Sequence, residues 1–408
     1  MLKLFVFSSL AVSSLAQAAS FSVTGNDRFG TSLFNNLDLR SGHRPGVGDT
    51  SAFIEHKFTL RPDVVVDDRF TVRSEFVLAP MGTYNDQPEQ MGTALGNGGG
   101  LFMTKAYLDW SSDWGILSVG RMSKEWGLGL LYDGGGDVFD DYQTLRDRVS
   151  FRGLVGNLSL QVAYEKINEG KLNDAGDDAD GYEISVEYLN PETSFDVGLL
   201  YTRTVRMASA PAGVFNSNDL SVFTRRRWNK VQFGGEFVYR NPGLGALAQL
   251  DYQPGAWIWG IDAGFASGSA TRPFAFNPNY RPFLILFNQS VGKADGTDVR
   301  GGNGGASAVG TTIGGGTGNG ALIGKLSGSY GFDNDTLRFG MDVGFATLAR
   351  VGTNSSRMLG IETDLNLTQK WYDNFKTVYA AGFLFPGGGF SSNAQVAWGV
   401  QLRGALSF

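Results

Sequence analysis

Asp133, Asp137, Asp140 and Asp141 fall within one short stretch, and Arg146, Arg148 and Arg152 follow directly behind them. The acids close a segment running from Lys124 to Tyr142. Its first half, Trp126–Leu131, is apolar, which is odd for a loop facing water. The arginines are spaced by even numbers, so on an extended strand they share one face. If the acidic segment folds toward that face, carboxylates oppose guanidiniums across a gap. The resulting transverse field would sort solutes by charge at the narrow point of a pore. The plainer alternative is a polar surface loop, with the arginines paired to carboxylates on neighbouring strands.

Other chemistry is sparse. His43 and His56 are the two histidines and there is no cysteine, so no Ser-His or thiol constellation is marked by spacing and no enzyme is expected. Neither a metal site nor a cofactor is expected. The segment Asn173–Gly181 resembles a calcium loop in its acids, but Gly176 stands at the first ligand position, which favours an acidic surface loop. Arg225, Arg226 and Arg227 precede Trp228 at a short turn, where they would snorkel to an interface or pair in a lumen, or meet a partner.

The elements that must position these groups are strands. From Ala394 to Phe408 every second residue is apolar or glycine, a period-two alternation over fifteen residues. The same alternation recurs around Phe70–Leu78, Leu158–Tyr164, Tyr182–Tyr188, Val231–Tyr239, Trp257–Phe265, Leu337–Phe345 and Leu359–Leu367, and no helical period competes with it. Short turns (111–115, 154–157, 190–193, 228–230, 253–255, 332–335, 369–374) alternate with long loops (35–50, 80–100, 122–144, 168–181, 207–218, 267–320, 349–357). One greasy and one wet face per strand suits a bilayer outside and water inside. A soluble sandwich would turn the greasy face inward, but the wet face carries Arg, Glu and Asp on nearly every strand, which no dry core accepts. The fold expected is therefore all-β: a transmembrane, antiparallel, up-and-down β-barrel of about eighteen strands, or about sixteen.

Bulk properties agree. The 408 residues carry a net charge of −6 and 58 glycines. Mild acidity argues against a nucleic-acid partner. No later run is long and apolar enough for a membrane helix. Met1–Lys3, the apolar stretch Leu4–Leu15 and Ala16-Gln17-Ala18 read as a secretory leader, so residues 1–18 are expected to be a signal peptide and 19–408 a single barrel.

The closing strand, with Trp398, Leu402, Leu406 and the terminal Phe408, resembles the C-terminal strand of bacterial outer-membrane β-barrels. That resemblance implies a Gram-negative outer-membrane location, contact with membrane lipid and lipopolysaccharide, and reading of these residues by the barrel-assembly machinery. Within the family, Val119-Gly120-Arg121 followed by Trp126-Gly127-Leu128-Gly129 looks like the strand and loop of alginate-export-type barrels and related porins. There the bases line an anionic sugar path, and the matching residues here are Arg121, Arg146, Arg148 and Arg152. The expected lumen wall also includes Arg73, Glu75, Lys105, Glu183, Glu187, Glu236, Arg338, Asp342, Glu362, Asp364 and Arg403. So many acids depart from a purely basic tunnel. The reading is a porin passing small hydrophilic solutes or ions. The alternatives are a channel for an anionic saccharide and a non-transporting surface barrel whose loops plug the lumen. Monomer and trimer are both open. Within the longest loop, Phe274–Phe287 could form a partial lid, while Gly301–Gly320 reads as a mobile surface segment.

Overall fold

The computed structural model describes residues 19–37, 39, 50–79, 100–168, 178–207, 216–241, 243–268, 274–289, 291, 320–350, 356–390 and 394–408. The expected leader, residues 1–18, His43, the stretch 301–319 and most of the calcium-like segment lie outside them. The described residues form eighteen strands. They are β1 (Ser20–Asn35), β2 (Thr50–Val65), β3 (Phe70–Ala79), β4 (Gly100–Ser112), β5 (Gly115–Ser123), β6 (Leu145–Val155), β7 (Leu158–Asn168), β8 (Ala179–Asn190) and β9 (Phe195–Arg206). The series continues with β10 (Ser217–Trp228), β11 (Val231–Arg240), β12 (Gly243–Tyr252), β13 (Trp257–Ser267), β14 (Gly320–Phe332), β15 (Leu337–Leu348), β16 (Met358–Tyr372), β17 (Phe375–Pro386) and β18 (Ala397–Ser407).

Each strand pairs antiparallel with its neighbours in the chain, and β1 pairs with β18 from Asn26–Ser407 to Asn35–Trp398, which closes the sheet. Closure leaves no unpaired edge, the condition a sheet must meet in hydrocarbon. Backbone bonds between Gly25 and Phe408 (2.8 and 3.0 Å) carry the seam to the last residue, and the Phe408 ring stacks on Phe58 at 5.9 Å.

Two differences from the sequence reading concern boundaries. The fifteen-residue alternation at the C-terminus yields an eleven-residue strand, β18, because its first residues belong to the preceding connection. Three connections are not among the turns and loops read from the sequence and emerge from the pairing: those between β2 and β3, β11 and β12, and β17 and β18. The last two carry turn chemistry in Asn241-Pro242-Gly243 and Pro386–Gly389 that the reading passed over.

The faces are inverted relative to a water-soluble core. Along β9, Leu199, Tyr201 and Arg203 are exposed while Gly198, Leu200 and Thr202 are buried. Phe339, Met341, Val343 and Phe345 of β15 point outward in the same way. Charged residues sit inside, with Arg28 at 1% exposure and Glu362 at 0%. A band of apolar and aromatic side chains faces out, and rings gather at the short-turn end. Phe70 stacks on Trp110, Trp257 on Trp259, and Tyr330 lies beside Trp257.

Candidate channel constriction

Two long connections fold into the lumen, and a shared device holds both. The first, residues 124–144, leaves β5 and lines the inside of β8–β11. Trp126 donates from Nε1 to Ser221 Oγ at 3.0 Å and meets Phe223 edge-on at 5.0 Å. Gly198 on β9 makes the room, since a Cβ there would come within 2.8 Å of Trp126. Leu128 and Leu130 donate their backbone N–H groups to Glu236 Oε2 at 2.7 and 3.2 Å, and Arg225 donates to the Gly127 carbonyl. The apolar half of this loop thus packs on the barrel wall, which explains its composition.

The second connection lines β12–β17 through residues 274–291. Phe274, Phe276, Phe283, Ile285, Leu286 and Phe287 are buried there. Ile285 and Leu286 donate to the two Glu362 oxygens at 2.6 and 2.8 Å, and Leu284 donates to Asp364 at 3.0 Å. Leu284 lies 3.1 Å from where a Cβ of Gly382 would stand, and Gly344 similarly makes space for Phe283. In each case a wall carboxylate satisfies backbone donors that would otherwise be orphaned inside the barrel. Small residues on adjacent strands accept the bulky side chains.

The two loops bind each other. Asn277 donates to the Leu130 carbonyl at 2.9 Å, and Asn279 bridges Asp133 Oδ1 and the Tyr142 carbonyl at 2.9 Å each. From that junction the tip of the first loop crosses to β1, β2, β17 and β18. The Asp140 carbonyl accepts from Arg28 at 3.1 Å and Lys57 at 3.2 Å. Asp141 pairs with both Arg28 and Arg281. The Phe139 ring lies beneath Lys376 (4.7 Å) and Arg403 (4.8 Å). Gln143 donates to Glu75, which also pairs with Arg61 (2.7 Å) and Lys105 (3.3 Å).

The neighbouring carboxyls differ. Burial alone would push Asp141 up, but the Arg281 and Arg28 guanidiniums outweigh it and hold that group well below the ordinary carboxylate range. Burial also pushes Asp140 up, aided by Asp133 and Asp137, and among the described residues no guanidinium pairs with its carboxyl in return, so it stands at about 6.

The arginines expected opposite the aspartates lie elsewhere. Arg148 is buried behind the loop with Lys124, Glu165 and Glu183. Its Nη2 is 2.9 Å from Glu183, and Lys124 is 2.6 Å from the same carboxylate. This is the pairing with neighbouring-strand acids that the plainer reading describes. Arg146 donates to the Leu145 carbonyl and stands 3.8 Å from Glu165. Arg152 donates to Ser159 and lines, with Gln161, Glu187, Asp196 and Arg225, a cavity of about 240 Å3. Arg121 departs most. It is in register with Asp147 and pairs with it at 2.5 Å on the outer surface, on the opposite face from Arg148. A one-residue step along a strand reverses the face, and Arg121 is on the wrong side of that step. Of the aspartates, Asp133 is consumed in the loop junction, whereas Asp137, Asp140 and Asp141 face the bases of β1, β2, β17 and β18.

The remaining wall residues point inward. Arg73 bridges Asp63 (3.2 Å) and Asp109 (3.0 Å), Arg338 pairs with Asp335 (2.6 Å), and Asp342 accepts from Asn366 (3.3 Å). Arg28, Lys57 and Arg281 were missed as site residues. The parity of β1 and β2 places the first two inside, and that signal is present in the sequence. Which loop meets them is not.

The acids Asp178 and Asp180 of the calcium-like segment are taken by Lys166 at 2.7 and 3.1 Å. At the short-turn end Arg226 lies over Phe195 and Trp228, the snorkelling arrangement, while Arg225 turns into the lumen. His56 is on the outer face, 2.6 Å from Asp27.

No family model matches the sequence. A search of curated proteins also finds no match. Solved structures do match along nearly the whole chain. A BenF-like porin from Pseudomonas fluorescens Pf-5 aligns with a TM-score of 0.57 at 10% identity, covering 96% of this chain and 99% of the other. OpdQ from Pseudomonas aeruginosa aligns at 0.56 and 9% identity, with 96% and 98% covered. The outer-membrane protein opdK of the same organism aligns at 0.55 and 11% identity, with 95% and 98% covered. At such identities the likeness establishes architecture: the chain has the closed, eighteen-stranded transmembrane barrel fold of outer-membrane porins.

Proposed function

We propose that the protein is an outer-membrane channel through which small hydrophilic solutes diffuse passively, with anions favoured over cations. The observation that carries this reading is the infolded tip of residues 137–142. It narrows the lumen against Arg28, Lys57, Lys376 and Arg403 while leaving Asp137 59% and Lys376 34% exposed. Exposed charge at a narrow point acts on passing ions, whereas buried charge of the Arg148 type serves the wall. Around the tip, among the described residues, the bases Arg28, Lys57, Arg61, Lys105, Arg281, Lys376 and Arg403 outnumber the acids Glu55, Glu75, Asp133, Asp137, Asp140 and Asp141, so the field favours anions. The long-loop end faces outward and the short-turn end faces the periplasm.

Planar-bilayer recording tests this. The folded barrel is expected to give discrete conductance steps with reversal potentials showing anion preference, and Lys376→Glu, at the exposed base of the narrow point, is expected to lower that preference. A heat-modifiable, folded barrel that never conducts would instead identify the two loops as a plug. The likeness to alginate-export-type barrels rests on the short Val119–Gly129 motif and on an eighteen-strand plan with lumenal arginines, and block of conductance by oligouronates would support it.

A further inference from the structure

We propose that the outer surface of β8–β11, at the long-loop end, carries a binding site for the phosphate group of an outer-leaflet lipid, with Arg203 as its central residue. Two independent observations support it. The first is an asymmetry of the apolar band. Eight residues past its start, β13 turns Phe265 to the lipid and β15 turns Phe345. At the same count β9 presents Arg203 and β7 presents Lys166, in one belt with Arg121, Asp147 and Asp180 on adjoining strands. Tyr182 is in register with Arg203, and Tyr164 and Tyr201 sit two residues nearer the short-turn end than Lys166 and Arg203 on the same strands; tyrosine is a residue type that marks the headgroup level of a bilayer. A tilted strand climbs about 2.5 Å per residue, so Arg203 stands about 20 Å above the short-turn girdle, at the upper margin of an apolar band about 25 Å tall.

The second observation is local. The other cations of the belt are already neutralised, Arg121 by Asp147 and Lys166 by Asp178 and Asp180. Arg203 is exposed, and among the described residues no ion pair or hydrogen bond holds its guanidinium. It opens onto a polar cavity of about 250 Å3 with Asn216, Asn218 and Asn241. Tyr201 donates its hydroxyl to Asn218 Oδ1 at 2.9 Å, which turns that amide so that its NH2 is left to donate elsewhere. A planar fork of donors beside carboxamides suits phosphate oxygens, and the bilayer delivers phosphate at this depth.

Native mass spectrometry of the detergent-purified full-length barrel tests the site, with hexa-acyl lipid A, dephosphorylated lipid A and inorganic phosphate as probes. One lipid A is expected per barrel. Arg203→Gln is expected to weaken it about tenfold, dephosphorylation of the lipid to do the same, and Arg226→Gln at the opposite margin to leave it unchanged. Equal binding by Arg203→Gln, or by dephosphorylated lipid A, overturns the proposal. So does occupancy by inorganic phosphate that excludes the lipid. The dephosphorylated-lipid arm uses the unaltered chain and does not depend on the variant folding. Channel conductance is expected to be the same in Arg203→Gln, so failure here and failure of the transport reading are separate results.

Discussion

Asp140 and Asp141 are adjacent in the chain and opposite in chemistry. Asp141 is locked between two guanidiniums and stays ionised, while Asp140 titrates at about 6 because burial and its acidic neighbours outweigh Lys57. Its pKa is raised, so it is mostly charged at pH 7 and mostly neutral at pH 5. Acidification therefore removes one negative charge beside Lys57 and Arg28. Anion-over-cation permeability is expected to rise between those two pH values. In Asp140→Asn the ratio should already be high at pH 7 and stay flat, as reversal potentials at both pH values would reveal. Arg148 belongs to a different class. It is buried with Glu165 and Glu183, and removing one member of such a pair costs about 3–5 kcal/mol. Arg148→Glu is accordingly expected to lower the temperature at which the barrel loses its heat-shifted gel mobility, and to alter ion selectivity less than a change at the exposed Lys376, Lys376→Glu, does.

At the scale of elements, the two infolded loops are as much part of the fold as the strands. A loop inside a barrel must satisfy its backbone donors without water, and Glu236 and Glu362 each do this for two N–H groups. An unsatisfied buried donor costs about 1–3 kcal/mol, so Glu362→Ala is expected to free the 274–291 segment while leaving the strands paired. Limited proteolysis should then cut in that segment, and channel recordings should show larger, noisier steps. Gly344→Val reaches the same end from the other side. Its Cβ would lie 2.6 Å from the Gly324 carbonyl and would displace Phe283, so protease sensitivity should again rise.

At the scale of the molecule, stability rests on ring closure and on the outward apolar band. Val343 lies in the middle of β15 with its side chain outward. A basic residue at the bilayer midplane of a barrel costs about 2–4 kcal/mol. Val343→Arg is expected to reduce stability by that order in urea titrations from lipid vesicles, while substitution of a lumen residue such as Arg73 by glutamine should change it far less.

How much of this was legible beforehand depends on the range of the interaction. Period-two alternation is a local property of the chain, and it determined the all-β architecture, the inward or outward face of nearly every strand residue and, with the rhythm of short and long connections, a strand number near eighteen. Parity even places Arg28, Lys57 and Arg403 in the lumen. Arg121 shows how parity overrules a motif, for it lies one residue from Gly120, which faces the lumen opposite Arg148, and so it points outward. Boundaries were weaker: Asn241-Pro242-Gly243 and Pro386–Gly389 carry turn chemistry that the reading passed over, and between β2 and β3 only the pairing fixes the break. What tertiary structure alone decided is where the loops go. The apolar half of 124–144 and the aromatic run 274–287 signal burial. Their partners are carboxylates and glycine notches on strands distant in the chain, and Asp141 meets Arg28 across 113 residues. Such contacts form only once the ring has closed and brought opposite walls within reach of one loop, and no spacing within a strand encodes that distance.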